Sequence, residues 1–207
     1  KTPQMLAVFS ERFGVPYPWS RYDQVAVHEF IFGGMENAAA TTLTDLVLTD
    51  DRAALDNDSD DLISHELAHQ WFGDLVTCQD WSQAWLNEGF ATYAEHIWKR
   101  HDHGQEEADY LLFQQLEEYL KEDRTRYRRP IVDYRFREPI DLFDRHLYEK
   151  AALVLHTLRA VLGDAPFWAG VRQYLQRNAH GVVHTRDLQR ALEDVSGAGV
   201  TEIDWDP

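Results

Sequence analysis

The apolar positions fall into two regimes. Met5, Leu6, Val8 and Phe9 open the chain as a helix-like stretch, but the first fifty residues otherwise read as β-rich. After the turn signal Tyr17-Pro18-Trp19, Val25 and Val27 alternate with polar neighbours as far as His28-Glu29-Phe30. Gly33-Gly34 breaks that run, and Leu46-Val47-Leu48 reads as another strand. Residues 56–61 form a polar loop and a helix start, where Ser59 or a neighbouring Asp can cap free amides. From there the spacing turns helical. Helices are expected over 62–72, 82–100 and 105–121, the last with Leu111, Leu112, Leu116 and Leu120 at helical spacing. Residues 122–147 are charged and punctuated by Pro, which predicts a surface loop. Residues 148–162 predict a helix with Ala152, Leu155, Leu158 and Leu162 on one stripe. Asp164 is expected to cap the next helix, with Pro166 in its first turn, and Thr185 the last, which ends at Gly197. The expected fold is α+β: a small β-sheet lobe over about 1–58, then a mostly helical lobe over about 59–207.

Composition narrows the setting. The chain has 207 residues, enough for one large domain or two small lobes around a cleft. Seven Trp, nine Tyr and ten Phe supply a sizeable core, so disorder is not the expectation. Acidic residues outnumber basic ones 36 to 20, for a formal charge of −16, which argues against nucleic-acid and anionic-membrane partners. Cys78 stands alone, so no intrachain disulfide forms, and it reads as an inert core thiol. No apolar run approaches the roughly 20 residues of a membrane span, and no signal peptide is visible. These features favour a cytoplasmic location. The abrupt opening at Lys1 and the Asp206-Pro207 end read as the cut ends of a larger protein.

The chemical signal is His65-Glu66-Leu67-Ala68-His69. Residues four apart on a helix differ by about 40° in direction and about 6 Å in height, so two imidazoles can grip one ion from the same face. Glu66 projects beside that ion without binding it, placed to take a proton from water there. Catalytic zinc needs a third protein ligand and an open position. Asn87-Glu88-Gly89-Phe90-Ala91 supplies the carboxylate, and Glu88 lies among Trp85, Leu86, Phe90 and Ala91, where an unpaired charge is costly. Glu95, seven residues on, shares its helix face and can orient a ligand histidine. His101-Asp102-His103 reads as a solvated helix end rather than a metal store.

Four strings together resemble the aminopeptidase N family of zinc peptidases. They are His65 to Gly73 (HELAHQWFG), Asn87 to Ala91 (NEGFA), Gly33-Gly34-Met35-Glu36-Asn37, and Tyr148-Glu149-Lys150-Ala151, whose last position is usually Gly in that family. They occur in family order and span about residues 5 to 196. The resemblance implies a thermolysin-like fold with one zinc ion between the lobes, held by His65, His69 and Glu88. It implies Glu66 as the base and Tyr148 as donor to the oxyanion. It also implies a substrate-binding segment of Gly33, Gly34, Met35, Glu36 and Asn37, with Glu36 on the free α-amino group of a peptide substrate. Family members carry a β-rich domain before this one, and usually a small β domain and a helical domain after it. The missing first domain contributes to the substrate site, so the piece alone is expected to turn over poorly. The zinc site by itself leaves open a thermolysin-like endopeptidase, an epoxide hydrolase as in one family branch, or a non-catalytic scaffold. Glu36 separates the first of these, since it would block a chain continuing past the first residue.

Overall fold

A computed structural model describes residues 1–56 and 58–197. The Asp206-Pro207 end, singled out from the sequence, lies outside the described residues. The order is mixed α+β: a small sheet among the first fifty residues, then mostly helices.

The helix-like opening is a helix. Helix α1 (Thr2–Phe13) ends on Gly14, whose left-handed φ of 69° lets the chain turn away. Met5, Phe9 and Phe13 are buried, and Phe13 meets Trp71, Phe72 and Trp168 edge-on or tilted. This helix therefore packs into the helical core although it precedes the sheet.

The sheet has three strands in the order β1 (Asp23–Val27), β3 (Ala40–Thr44), β2 (Gly34–Met35). β1 runs parallel to β3, with Asp23 opposite Ala40, and β2 runs antiparallel, with Gly34 opposite Leu43. Two expectations fail here. Gly34 does not break a strand but forms one, because it faces Leu43 across the ladder. Leu46-Val47-Leu48 is not a strand: Asp45–Val47 is a 3₁₀ turn capped by the Thr44 hydroxyl, and Leu46 and Leu48 point to solvent. The strand is the preceding Ala40–Thr44, where Thr41, Leu43 and Thr44 turn inward.

Helix α2 (Asp60–Ala68) starts with Asp60 and Asp61, whose charges suit the positive helix end. Ser59 precedes it but makes no side-chain cap; Asp58 Oδ1 accepts from the Asp60 amide instead. Strand β4 (Val76–Cys78) follows, and then α3 (Trp85–Asp102) and α4 (Gln105–Thr125). Of the four leucines expected to define α4, only Leu112 is buried. The loop expected over 122–147 is shorter at both ends, because α4 continues to Thr125 and helical structure resumes at His146; it contains a 3₁₀ turn at Pro139–Leu142. Tyr148 does not open an α-helix. It sits within a π-helical turn, His146–Lys150, that leads into α5 (Ala151–Leu162).

Helix α6 (Asp164–Asn178) has Gly163, not Asp164, at its cap; Asp164 is already inside and binds Arg159. Helix α7 (Thr185–Ser196) begins after His184, whose amide donates to Asp187, and ends at Gly197 with φ 64°. Strand β5 (Gly181–Val183) pairs in parallel with β4, a two-stranded sheet the sequence pattern did not suggest. The core is aromatic, with Trp71, Trp85, Trp98, Tyr93 and Tyr174 sealed from solvent. Phe72 and Phe90 stack at 4.1 Å, joining the segment after α2 to the first turns of α3.

Candidate active site

Helices α2 and α3 meet where their polar residues are buried. His65 and His69 present their Nε2 atoms to the same oxygen, Glu88 Oε2, each at 3.2 Å. One donor atom from each of the three residues lies within 4.8 Å of the other two. The far side of each ring is fixed. Glu95 Oε1 is 2.7 Å from His65 Nδ1, and the Phe72 carbonyl is 2.9 Å from His69 Nδ1. Those bonds leave both Nε2 atoms aimed inward, the tautomer a metal requires. Gln115 of α4 reaches the other Glu95 oxygen at 3.4 Å. Gly89 lets α3 pass close to α5, since a Cβ there would sit 2.7 Å from Ala151 Cβ.

The electrostatics follow from this packing. Burial alone would raise Glu88, but contact with two imidazoles holds it well below the usual carboxylate range. Burial would lower His69, yet Glu88 pushes it up to about 9; His65, between Glu88 and Glu95, is likewise raised well above its ordinary value. Two nitrogens and one buried carboxylate oxygen at this spacing suit zinc.

Glu66 lies beside the triad, close enough to feel the charges of His65, His69 and Glu88. Burial, reinforced by Glu36 and Glu88, outweighs the two imidazoles and lifts it to about 7. Its Oε2 is buried without a hydrogen-bond partner among the described residues. It lies under β2, so close to Gly34 that an added Cβ would overlap the Glu66 carboxylate. That is the reason for glycine at 34: any side chain would displace Glu66. A Cβ at Gly33 would meet Leu62 at 3.1 Å.

The Tyr148 ring lies 6.0 Å from that of His65. Burial, with Glu88, Glu36 and Glu66 nearby, raises its hydroxyl, so it stays a proton donor across ordinary pH. Glu36 is half-buried at the end of β2, while Met35 is exposed. Asn37 ties β2 to β3 through Thr42 Oγ1 at 3.1 Å. Cys78 is half-buried and pushed up to about 11, mainly by burial.

Sequence reasoning missed two members of this constellation. The Phe72 carbonyl carries no sequence signal. Gln70 did have one: it is an amide beside His69 in a stretch that is otherwise apolar, and it is fully buried.

Comparison with known proteins agrees with the geometry. A model of the peptidase family M1 domain matches residues 1–207. Aminopeptidase 2, mitochondrial, of Saccharomyces cerevisiae is 39% identical over 211 residues, covering 98% of this chain and 22% of that protein. Aminopeptidase N of Streptomyces lividans is 38% identical over 198 residues, 91% of this chain and 23% of that one. A mutant M1 zinc metallopeptidase of Deinococcus radiodurans, crystallised with a Tyr-Ser-Ala substrate, superposes with a TM-score of 0.76 at 32% identity. That superposition covers 96% of this chain and 41% of the other. The chain thus spans about a fifth of the length of these curated relatives. No described helix is long and apolar enough to cross a membrane.

Proposed function

Since the chain belongs to peptidase family M1, we propose that it is the catalytic domain of a zinc aminopeptidase, cleaving the first bond of peptides with a free N-terminus. The carrying observation is the convergence of His65 and His69 Nε2 on Glu88 Oε2, with both rings tethered from behind. His65, His69 and Glu88 would hold one zinc ion, and Glu95 would orient His65. When bound, zinc supplies Lewis acidity to the scissile carbonyl and lowers the pKa of water there.

The residues then divide the work. Glu66, poised near neutrality, takes the proton from the attacking water and returns it to the leaving amine. The Tyr148 hydroxyl donates to the oxygen on which charge develops. Among the described residues β2 is an edge strand, paired only with β3, so Gly34 leaves its outer edge for an extended peptide laid alongside, while Gly33, whose carbonyl accepts from the Thr44 amide, anchors the start of that edge. Met35 and Asn37 flank that contact. Glu36, at the end of the same strand, pairs with the substrate ammonium, which confines cleavage to the first residue. A peptide-bound relative and a relative named alanine/arginine aminopeptidase support peptides as the substrate class.

The test is Glu66→Gln. Turnover of an aminoacyl-fluorophore should fall by roughly 10²–10⁴-fold, while metal analysis finds the same zinc content as in the unaltered protein. Near-normal turnover would remove Glu66 from the role of base.

A further inference from the structure

We infer that Gln70 is a positioning residue for recognition of the substrate amine: its side-chain amide sets where Glu36 stands relative to the His65–His69 pair. The inference rests on the reading of Glu36 as the amine anchor.

Gln70 directly follows His69, and its amide bonds back to the Leu67 carbonyl, so it belongs to the end of α2. Its side chain is fully buried and crosses to the sheet. There Nε2 donates to the Glu36 carbonyl at 3.0 Å, and Oε1 accepts from the Ala39 amide at 2.7 Å. The Tyr17 hydroxyl adds a longer bond to Oε1 at 3.4 Å.

In a closed four-residue turn, the carbonyl of the first residue bonds the amide of the fourth. Between Glu36 and Ala39 the Gln70 amide stands in for both partners. The turn it holds open is tight: Ala39 has a left-handed φ of 62°, and the Ala40 amide donates to the Asn37 carbonyl at 2.9 Å. β2 itself is only two residues long and cannot fix Glu36 alone. The place of Glu36 is therefore taken from the chain segment that carries His69. That construction keeps the span between ammonium and scissile carbonyl constant, as cleavage of a single residue demands.

Both sides of this bridge are needed. Methionine fills the same volume but offers neither donor nor acceptor. Asparagine has the right groups but is one methylene too short to reach both.

The experiment compares the zinc-loaded protein with Gln70→Met and Gln70→Asn. Calorimetry measures the affinities of leucine hydroxamate and N-acetyl-leucine hydroxamate, and metal analysis gives zinc content. The ratio of affinities does not depend on the fraction of folded protein. In the unaltered protein the free amine should be preferred. Gln70→Met should reduce that preference roughly tenfold, about 1.4 kcal/mol, and Gln70→Asn by a smaller factor, with zinc content and blocked-ligand affinity retained. If Gln70→Met does not fold, Gln70→Asn carries the test. An unchanged ratio in the folded variants overturns the role of Gln70, whatever happens to stability. No preference in the unaltered protein overturns the reading of Glu36 itself, and the inference with it.

Discussion

The helical core and the three-stranded sheet are built to different standards. α2 and α3 meet over Trp71, Trp85, Phe72 and Phe90, all sealed from solvent, and His65, His69 and Glu88 rise from that packing. β1 is exposed along its whole length, and Val25 is 49% accessible. Yet the sheet carries Gly33, Gly34 and Glu36. The contrast separates two requirements. Ligands for an ion must be fixed to a fraction of an ångström, which a close-packed core provides. On the proposed reading β2 receives a peptide and must keep one edge open, and its position would come from the end of α2 through Gln70.

Three substitutions sharpen or break this contrast. Phe90→Ala removes one ring of the stack beneath the site. It should cost about 3–5 kcal/mol, lowering the melting temperature by roughly 10 °C at this chain size. A melting temperature within a degree or two of the original would mean that this core does not hold α2 and α3 together. Gly34→Ala pushes into the Glu66 carboxylate and should cut kcat/KM on the order of 100-fold with the melting temperature almost unmoved. Equal loss of stability and activity would show that β2 is part of the core after all. Val25→Thr, on the exposed strand, should change stability by less than ~0.5 kcal/mol by urea titration. A larger loss would reveal packing on β1 that the exposed pattern denies.

The same contrast explains what was legible in the sequence. Helical spacing pairs His65 with His69 and Glu88 with Glu95, and Glu88 stood out as a carboxylate among apolar neighbours; the packing of α2 on α3 brings the two pairs together. The sheet was harder. Ala40–Thr44 contains three threonines, two of them buried, so its pattern lacks apolar alternation, whereas Leu46-Val47-Leu48 has the composition of a strand but no partner to pair with. Tyr148 was recognisable by motif, but not its π-helical turn. Asp144, two residues before that turn, accepts from the His146 and Leu147 amides, and Arg129, fifteen positions before Asp144, clasps the same carboxylate. The role of Gln70 depends on Glu36 and Ala39, more than thirty positions upstream, and no local pattern announces such a partner.

The pairing of β4 with β5 has a kinetic corollary. Val76–Cys78 docks on Gly181–Val183, and the Gln83 side chain accepts from the Thr185 amide a hundred residues later. These seams close the stretch between the second histidine and the carboxylate-bearing helix. Contacts of such long sequence separation are slow to form. On the proposed reading of His65, His69 and Glu88, the surroundings of the ion would be complete only once β5 and α7 are in place.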